Sequence, residues 1–280
     1  MLNKLILIID NKTLKQEYKR LTSKETMMDI CHTLTKIMDA TSVDELWQEW
    51  LRSMIDDYGF DRLLYGSTRF ATGSALGNAG DQLILTNYCE GYLREFVESE
   101  LYQHGPMLKW ALENTGACSW SAISEFVAQQ EITPKMQAVF DLNQRYGVVA
   151  GYTISFQPIN KRSRSAISLA MNQNKSQAQA DAVWSKYGDE ILLINKVAHT
   201  KSLTLPHNTI SGKRLTDRQR EVLSWVSDGK TIQDIAKILA VSTQTVEKHL
   251  RLARNTLGVE TTAQAVLRLA LQNQIFVYPV

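Results

Sequence analysis

The chain has 280 residues, 44% of them hydrophobic and 21% charged, with a formal net charge of +2 at pH 7. That is the composition of ordinary folded domains; it excludes collagen-like and low-complexity chains and leaves room for two domains. The apolar run over 5–9 is too short to cross a bilayer, and Asp10, Asn11 and Lys12 follow it rather than a small-residue cleavage site, so the protein is expected in the cytoplasm with no membrane partner.

Residues 1–25 show no sustained period and are read as an N-terminal extension. Helical periodicity starts near Thr26, with Met27, Ile30, Leu34 and Ile37 on one face, and a second helix carries Val43, Leu46, Trp47, Trp50 and Leu51. Four segments then read as strands, over 62–70, 81–86, 151–158 and 165–171, because they are short, rich in β-branched or aromatic residues and bounded by Gly, Asn or Pro. The last two flank a hairpin connection over 159–164. Helices are expected over 91–101, 106–114 and 134–145, and a long amphipathic one over 176–198. Helices, strands and helices again predict an α+β domain over 26–198, an α/β/α sandwich with a mostly antiparallel sheet.

Residues 199–214 are polar, contain Pro206 and Gly212, and read as a linker. Beyond it, 215–280 reads as an all-α domain of four helices. Thr216 or Asp217 caps the first, Thr231 the second, and Ser242 or Thr243 the third. Gly229 and Gly258 end the first and third. Val246, Leu250, Ala253 and Leu257 form one buried stripe on the third helix. The stripe turns Gln244, Lys248, Arg251, Leu252 and Asn255 outward, with Glu247 at the edge. A short helix, a tight turn over 240–242 and a longer capped helix are the parts of a helix-turn-helix, whose second helix fits a major groove about 12 Å wide. Residues 211–280 hold ten Lys/Arg against six Asp/Glu, net +4, while the rest of the chain is net −2; that asymmetry suits double-stranded DNA as partner of the C-terminal piece. Period and charge alone leave open a plain helical bundle with a solvated face.

Enzymatic signatures are lacking. Gly229-Lys230-Thr231 imitates the end of a phosphate loop, but its first glycine would fall at Ser224, inside a helix with no strand before it. Cys31, Cys89 and Cys118 are scattered and read as buried free thiols. No catalytic group, metal site or cofactor is expected.

The C-terminal segment resembles the DNA-binding domain of the LuxR family through Leu215-Thr216, Arg220-Glu221-Val222-Leu223, Trp225, Gly229-Lys230-Thr231, Ile235-Ala236, Thr245-Val246, His249, Leu257-Gly258-Val259 and Gln264-Ala265-Val266. The resemblance implies a DNA-contacting helix over 243–257, with Thr243, Gln244, Glu247, Lys248, Arg251 and Asn255 as candidate contacts. It also implies a fourth helix, 262–272, that pairs two such domains in a homodimer, and RNA polymerase as a further partner. Gln219 stands where the family usually has Glu, and Leu252 where a polar residue is common.

The N-terminal domain resembles the autoinducer-binding domain of the quorum-sensing branch through Asn87-Tyr88-Cys89-Glu90-Gly91-Tyr92, Arg94-Glu95, Tyr102, Pro106, Trp120 and Tyr146-Gly147-Val148. By that resemblance Tyr88 meets a ligand's acyl carbonyl, Tyr92 lines the pocket, and Trp120 donates its indole N–H to a lactone carbonyl. Gly105 stands where the family has an aspartate that accepts the ligand's amide N–H. Losing a charged acceptor costs about 1.5–3 kcal/mol, roughly 10- to 150-fold in affinity. Three readings follow: a different small hydrophobic ligand, compensation by His104 or Glu113, or a ligand-independent module for dimerisation or protein interaction. The expectation is a transcriptional regulator that senses an acyl-homoserine lactone or another hydrophobic signal.

Overall fold

The computed structural model of the chain describes residues 28–71, 76, 82–123, 132–207 and 214–275. The expected N-terminal extension, the start of the strand expected over 81–86 and the middle of the expected linker lie outside them.

Helix α1 (28–39) and α2 (Val43–Arg52) lead into the sheet. Ser42 caps α2 by accepting from the Glu45 N–H, and a π-helical turn, Ser53–Asp57, extends it. Then come β1 (Arg62–Thr68), β2 (Leu83–Thr86), α3 (Glu90–Leu93, extended by the π-helical turn Arg94–Glu98), α4 (Pro106–Glu113), β3 (Gly116–Ser119), α5 (Pro134–Arg145), β4 (Gly151–Ser155), β5 (Arg164–Ala170) and α6 (Gln177–Ser202). The described strands form one antiparallel sheet in the order β2-β1-β5-β4-β3.

Side chains alternate across a strand, so each face has its own chemistry. One face carries Leu63 and Tyr65 of β1, Ile154 of β4 and Ile167 and Leu169 of β5, and packs on Leu46 and Trp50 of α2 and Ile191, Ile194 and Ala198 of α6. Polar groups on this side are paired: Trp50 Nε1 donates to Asn195 Oδ1 at 2.9 Å, and Asn195 Nδ2 to the Ile191 carbonyl at 2.7 Å. The α/β/α sandwich is the architecture the sequence predicts.

Several boundaries differ from expectation. The first strand stops at Thr68 rather than Phe70, because the Thr68 hydroxyl takes the Phe70 N–H and turns the chain. Strand β4 ends at Ser155, three residues before Pro158, which has no N–H to offer a ladder. The helix expected over 91–101 breaks near Glu100, whose φ is +57°. Strand β3 went unread: four small or polar residues at the sheet edge show no alternation. Helix α6 continues past 198 to Ser202, because its polar end is buried and internally bonded. Tyr65 Oη lies 2.9 Å from both His199 Nδ1 and Ser202 Oγ, and Ser202 Oγ donates to the His199 carbonyl at 2.7 Å. The cysteines are free, as expected, but Cys31 and Cys89 are exposed and Cys118 half-buried. Cys31 sits on the outer side of α1 and Cys89 at the N-terminus of α3, both positions that face water.

The C-terminal domain consists of α7 (Asp217–Ser227), α8 (Ile232–Ile238), α9 (Thr243–Leu257) and α10 (Thr262–Leu271) around a core that includes Val222, Leu223, Ile235, Val246, Leu250 and Leu269. Thr216, Thr231, Ser242 and Thr261 cap the four helices. Gln219 completes a reciprocal capping box with Thr216, so the amide does at this position what a glutamate does in such boxes.

Candidate ligand cavity and nucleic-acid interface

The second face of the sheet is paved with short side chains. Gly66 of β1, Thr153 of β4 and Ala166 and Ser168 of β5 lie beneath α3, α4 and α5. They are too small to fill the space, and a cavity of about 400 Å³ opens between sheet and helices. That volume falls within the range of about 300–1,000 Å³ typical of small-molecule sites. Ser155 Oγ donates to the Ala111 carbonyl at 2.6 Å and fastens α4 to the sheet.

Tyr88, Tyr92, Gly105 and Trp120 all line this cavity. Tyr88 and Tyr92 stack with ring centroids 4.5 Å apart. Tyr92 Oη donates to Asn143 Oδ1 of α5 at 2.9 Å, and the Tyr88 hydroxyl pairs with that of Ser168. Burial pushes both phenols well above their usual range, so both remain protonated. The indole Nε1 of Trp120 donates to Thr153 Oγ1 at 2.9 Å. Each polar handle therefore already has a partner on a neighbouring element.

Gly105 is the N-cap residue of α4, and its carbonyl accepts from the Leu108 and Lys109 N–H groups at 3.1 and 3.2 Å. The backbone acceptor left by the missing side chain is thus spent inside the helix. His104 and Glu113 do not line the cavity, and Glu113 is exposed. Asn143, Thr153, Ser168 and Arg164 were not singled out from sequence. A signal was present: the alternating short residues of 151–155 and 164–170 describe a strand face too small for a packed core.

The helix-turn-helix comprises α8, the turn at Ala240 and α9. Ala240 takes a φ of +53°, which folds the turn tightly, and Gly258 ends α9 in the left-handed conformation. Val246, Leu250 and Ala253 are buried against α7 and α8. Gln244, Glu247, Lys248, Arg251 and Asn255 are exposed on the opposite side, while Thr243 and Leu252 are half-buried. Among the described residues, neither Lys248 nor Arg251 is engaged in an ion pair. The face offers amides, cations and one carboxylate to a groove.

A cavity-bearing sensor domain joined to a helix-turn-helix defines a ligand-responsive DNA-binding protein. Comparisons give the family. Residues 42–202 match the autoinducer binding domain, and 213–269 match the bacterial regulatory proteins of the luxR family. The transcriptional activator EchR of Dickeya chrysanthemi is 29% identical over 198 residues, covering 66% of this chain and 76% of that protein. LuxR of Aliivibrio fischeri is 23% identical over 197 residues, covering 70% and 76%. The crystal structure of Escherichia coli SdiA shares the fold, with a TM-score of 0.50 at 15% identity over 90% of this chain and all of that one. The chain belongs to the LuxR family and is a ligand-sensing, DNA-binding transcriptional regulator rather than an enzyme. No described helix is long and apolar enough to cross a membrane.

Proposed function

We propose that the chain acts in the cytoplasm as a homodimer on a roughly two-fold symmetric DNA site, and that a small hydrophobic molecule bound among Tyr88, Tyr92, Gly105 and Trp120 controls that binding. The observation that carries this reading is the joint presence, in one chain, of a cavity of about 400 Å³ and a capped helix with five exposed polar residues. In this reading residues 26–198 sense, 199–214 link and 215–280 bind DNA. Lys248 and Arg251 supply cations to phosphates or guanine edges, Gln244, Asn255 and Glu247 read neighbouring bases, and Thr243 contacts the backbone at the start of α9. Half-sites stand about one helical turn apart. The names of the relatives support activation of transcription; RNA polymerase is the further partner in this reading.

The test combines two measurements on purified full-length protein. Organic extraction followed by mass spectrometry identifies any copurified molecule, and a mobility shift with promoter fragments follows DNA affinity as that molecule is added or removed. DNA binding that changes at least several-fold with the ligand supports the reading. DNA binding with an empty extract and no response to any hydrophobic probe favours the ligand-independent module.

A further inference from the structure

The cavity has a second polar end. Ser168, Ala166 and Arg164 alternate along the cavity face of β5, and four residues at about 3.3 Å each place Arg164 roughly 13 Å from Ser168. Ser168 belongs to the aromatic end, through its pairing with Tyr88. Arg164 belongs to the other, opposite Thr68 on β1. Between them Gly66 faces Ala166 in register, and a Cβ added at Gly66 would meet nothing within 4 Å. The floor between the two ends is therefore an open, apolar corridor.

Arg164 is the one charged residue among the described residues that line the cavity, and no described carboxylate residue lines it. Its NH1 donates to the Ser163 carbonyl at 2.7 Å and to that of Lys161 at 3.4 Å, which fixes the guanidinium at the end of the strand. No described carboxylate pairs with it. At the aromatic end, Gly105 offers no side-chain acceptor. A cavity with a fixed cation and no acid among its described lining residues suits a ligand that carries a negative charge itself.

We propose that the cavity takes an amphiphilic carboxylic acid of medium chain length. Its carboxylate sits on the Arg164 guanidinium, and its chain runs over Gly66 and Ala166 toward the stacked tyrosines. A guanidinium presents N–H groups in a fork that matches a carboxylate. This assignment rests on the reading of the cavity as the sensor site and names its ligand class.

The experiment is calorimetry on the full-length chain with decanoate, methyl decanoate and N-octanoyl homoserine lactone. Wild-type protein is expected to bind decanoate at least tenfold more tightly than the ester. Arg164→Met should lower decanoate affinity by about 10- to 150-fold, the value of one charge-assisted contact, and leave the ester unaffected, while Arg164→Lys keeps part of the preference. Gly66→Val should weaken decanoate and ester alike by blocking the corridor, with little change in melting temperature. If the ester or the lactone binds wild-type protein as well as the acid, the carboxylate assignment falls while the sensor cavity stands. That comparison needs no variant. If none of the three binds, the carboxylic-acid assignment is overturned, and the extraction and mobility-shift experiment decides the sensor reading.

Discussion

The indole N–H of Trp120 donates to the hydroxyl of Thr153 at 2.9 Å, across the floor of the cavity. Trp120 follows β3 and Thr153 lies on β4, so the bond joins an edge strand to its neighbour while engaging the donor that we propose for a ligand carbonyl. A ligand that claims this N–H must compete with a fixed partner.

Thr153→Val keeps the shape and removes that competitor. Leaving a half-buried indole N–H without an acceptor costs about 1–3 kcal/mol, so the melting temperature of the protein alone should fall. Ligands with a carbonyl at this end should recover part of the loss and bind the variant more tightly than wild type. Thermal melts with and without N-octanoyl homoserine lactone measure both effects. Equal affinity for the two proteins would show that Trp120 takes no part in recognition.

Gly105→Asp reintroduces a carboxylate at the N-cap of α4. A Cβ there approaches the Tyr102 carbonyl at 3.2 Å, so the turn must yield by a few tenths of an ångström. Aspartate is a favoured N-cap, and the net stability change should stay within about 1 kcal/mol. If the carboxylate faces the cavity, affinity for acyl-homoserine lactones rises about tenfold or more, as one charged hydrogen bond is restored. Calorimetry reads this directly. A rise in melting temperature with no gain in affinity means that the side chain caps the helix instead.

On α9, Lys248→Ala and Arg251→Ala should each weaken DNA binding. The loss is about 1–3 kcal/mol and confined to the preferred site if the residue makes a bidentate base contact, or equal on all sequences if it touches phosphate. Mobility shifts with specific and scrambled duplexes separate the two. Unchanged binding by both variants would remove α9 from the interface.

Assembly is tested at two exposed leucines. Leu193 of α6 is 46% exposed and Leu267 of α10 is 52% exposed, so both are available to a partner chain in the proposed dimer. Leu193→Glu and Leu267→Glu should shift a dimer toward monomer in light scattering and weaken DNA binding in parallel. A wild-type protein that is monomeric both free and on DNA contradicts the dimer.

Stability should also depend on pH through His199. Burial and the nearby Arg69 hold its pKa down to about 4, against about 6.5 for a free imidazole. Between those values the unfolded chain binds a proton that the folded one refuses, so stability is full above pH 6.5 and declines as pH falls toward 4. The slope from this one group reaches about 1.4 kcal/mol per pH unit. His207 is also depressed, mainly by burial, and adds a slope of the same sign. Denaturant unfolding from pH 7 to 4 should show the decline, and His199→Gln should flatten it without abolishing it. An identical pH profile for the variant would rule out His199.

The C-terminal domain was legible in the sequence because its determinants are local. A cap residue lies within four positions of the N–H it accepts, and the stripe from Val246 to Leu257 needs only helical period. The outward set from Gln244 to Asn255 follows from that stripe, and the structure exposes its polar members while Leu252 is half-buried. The four main strands were legible from their composition. Edge strand β3 was not, because Gly116–Ser119 acquires its identity only by pairing with β4.

What the tertiary structure decided concerns the partners of residues the sequence had already singled out. Tyr88, Tyr92 and Trp120 are visible as aromatic positions; that Ser168, Asn143 and Thr153 hold their polar atoms is not, since those partners lie between 33 and 80 residues away along the chain. Gly105 reads as a lost acceptor, but only the fold spends its carbonyl within α4. Arg164 reads as one more charge beside a hairpin. The antiparallel register of β1 and β5 brings it to the end of a corridor floored by Gly66 and Ala166. Local hydrogen bonds and periodicity are written in neighbouring residues; a cavity exists only where distant strands and helices meet.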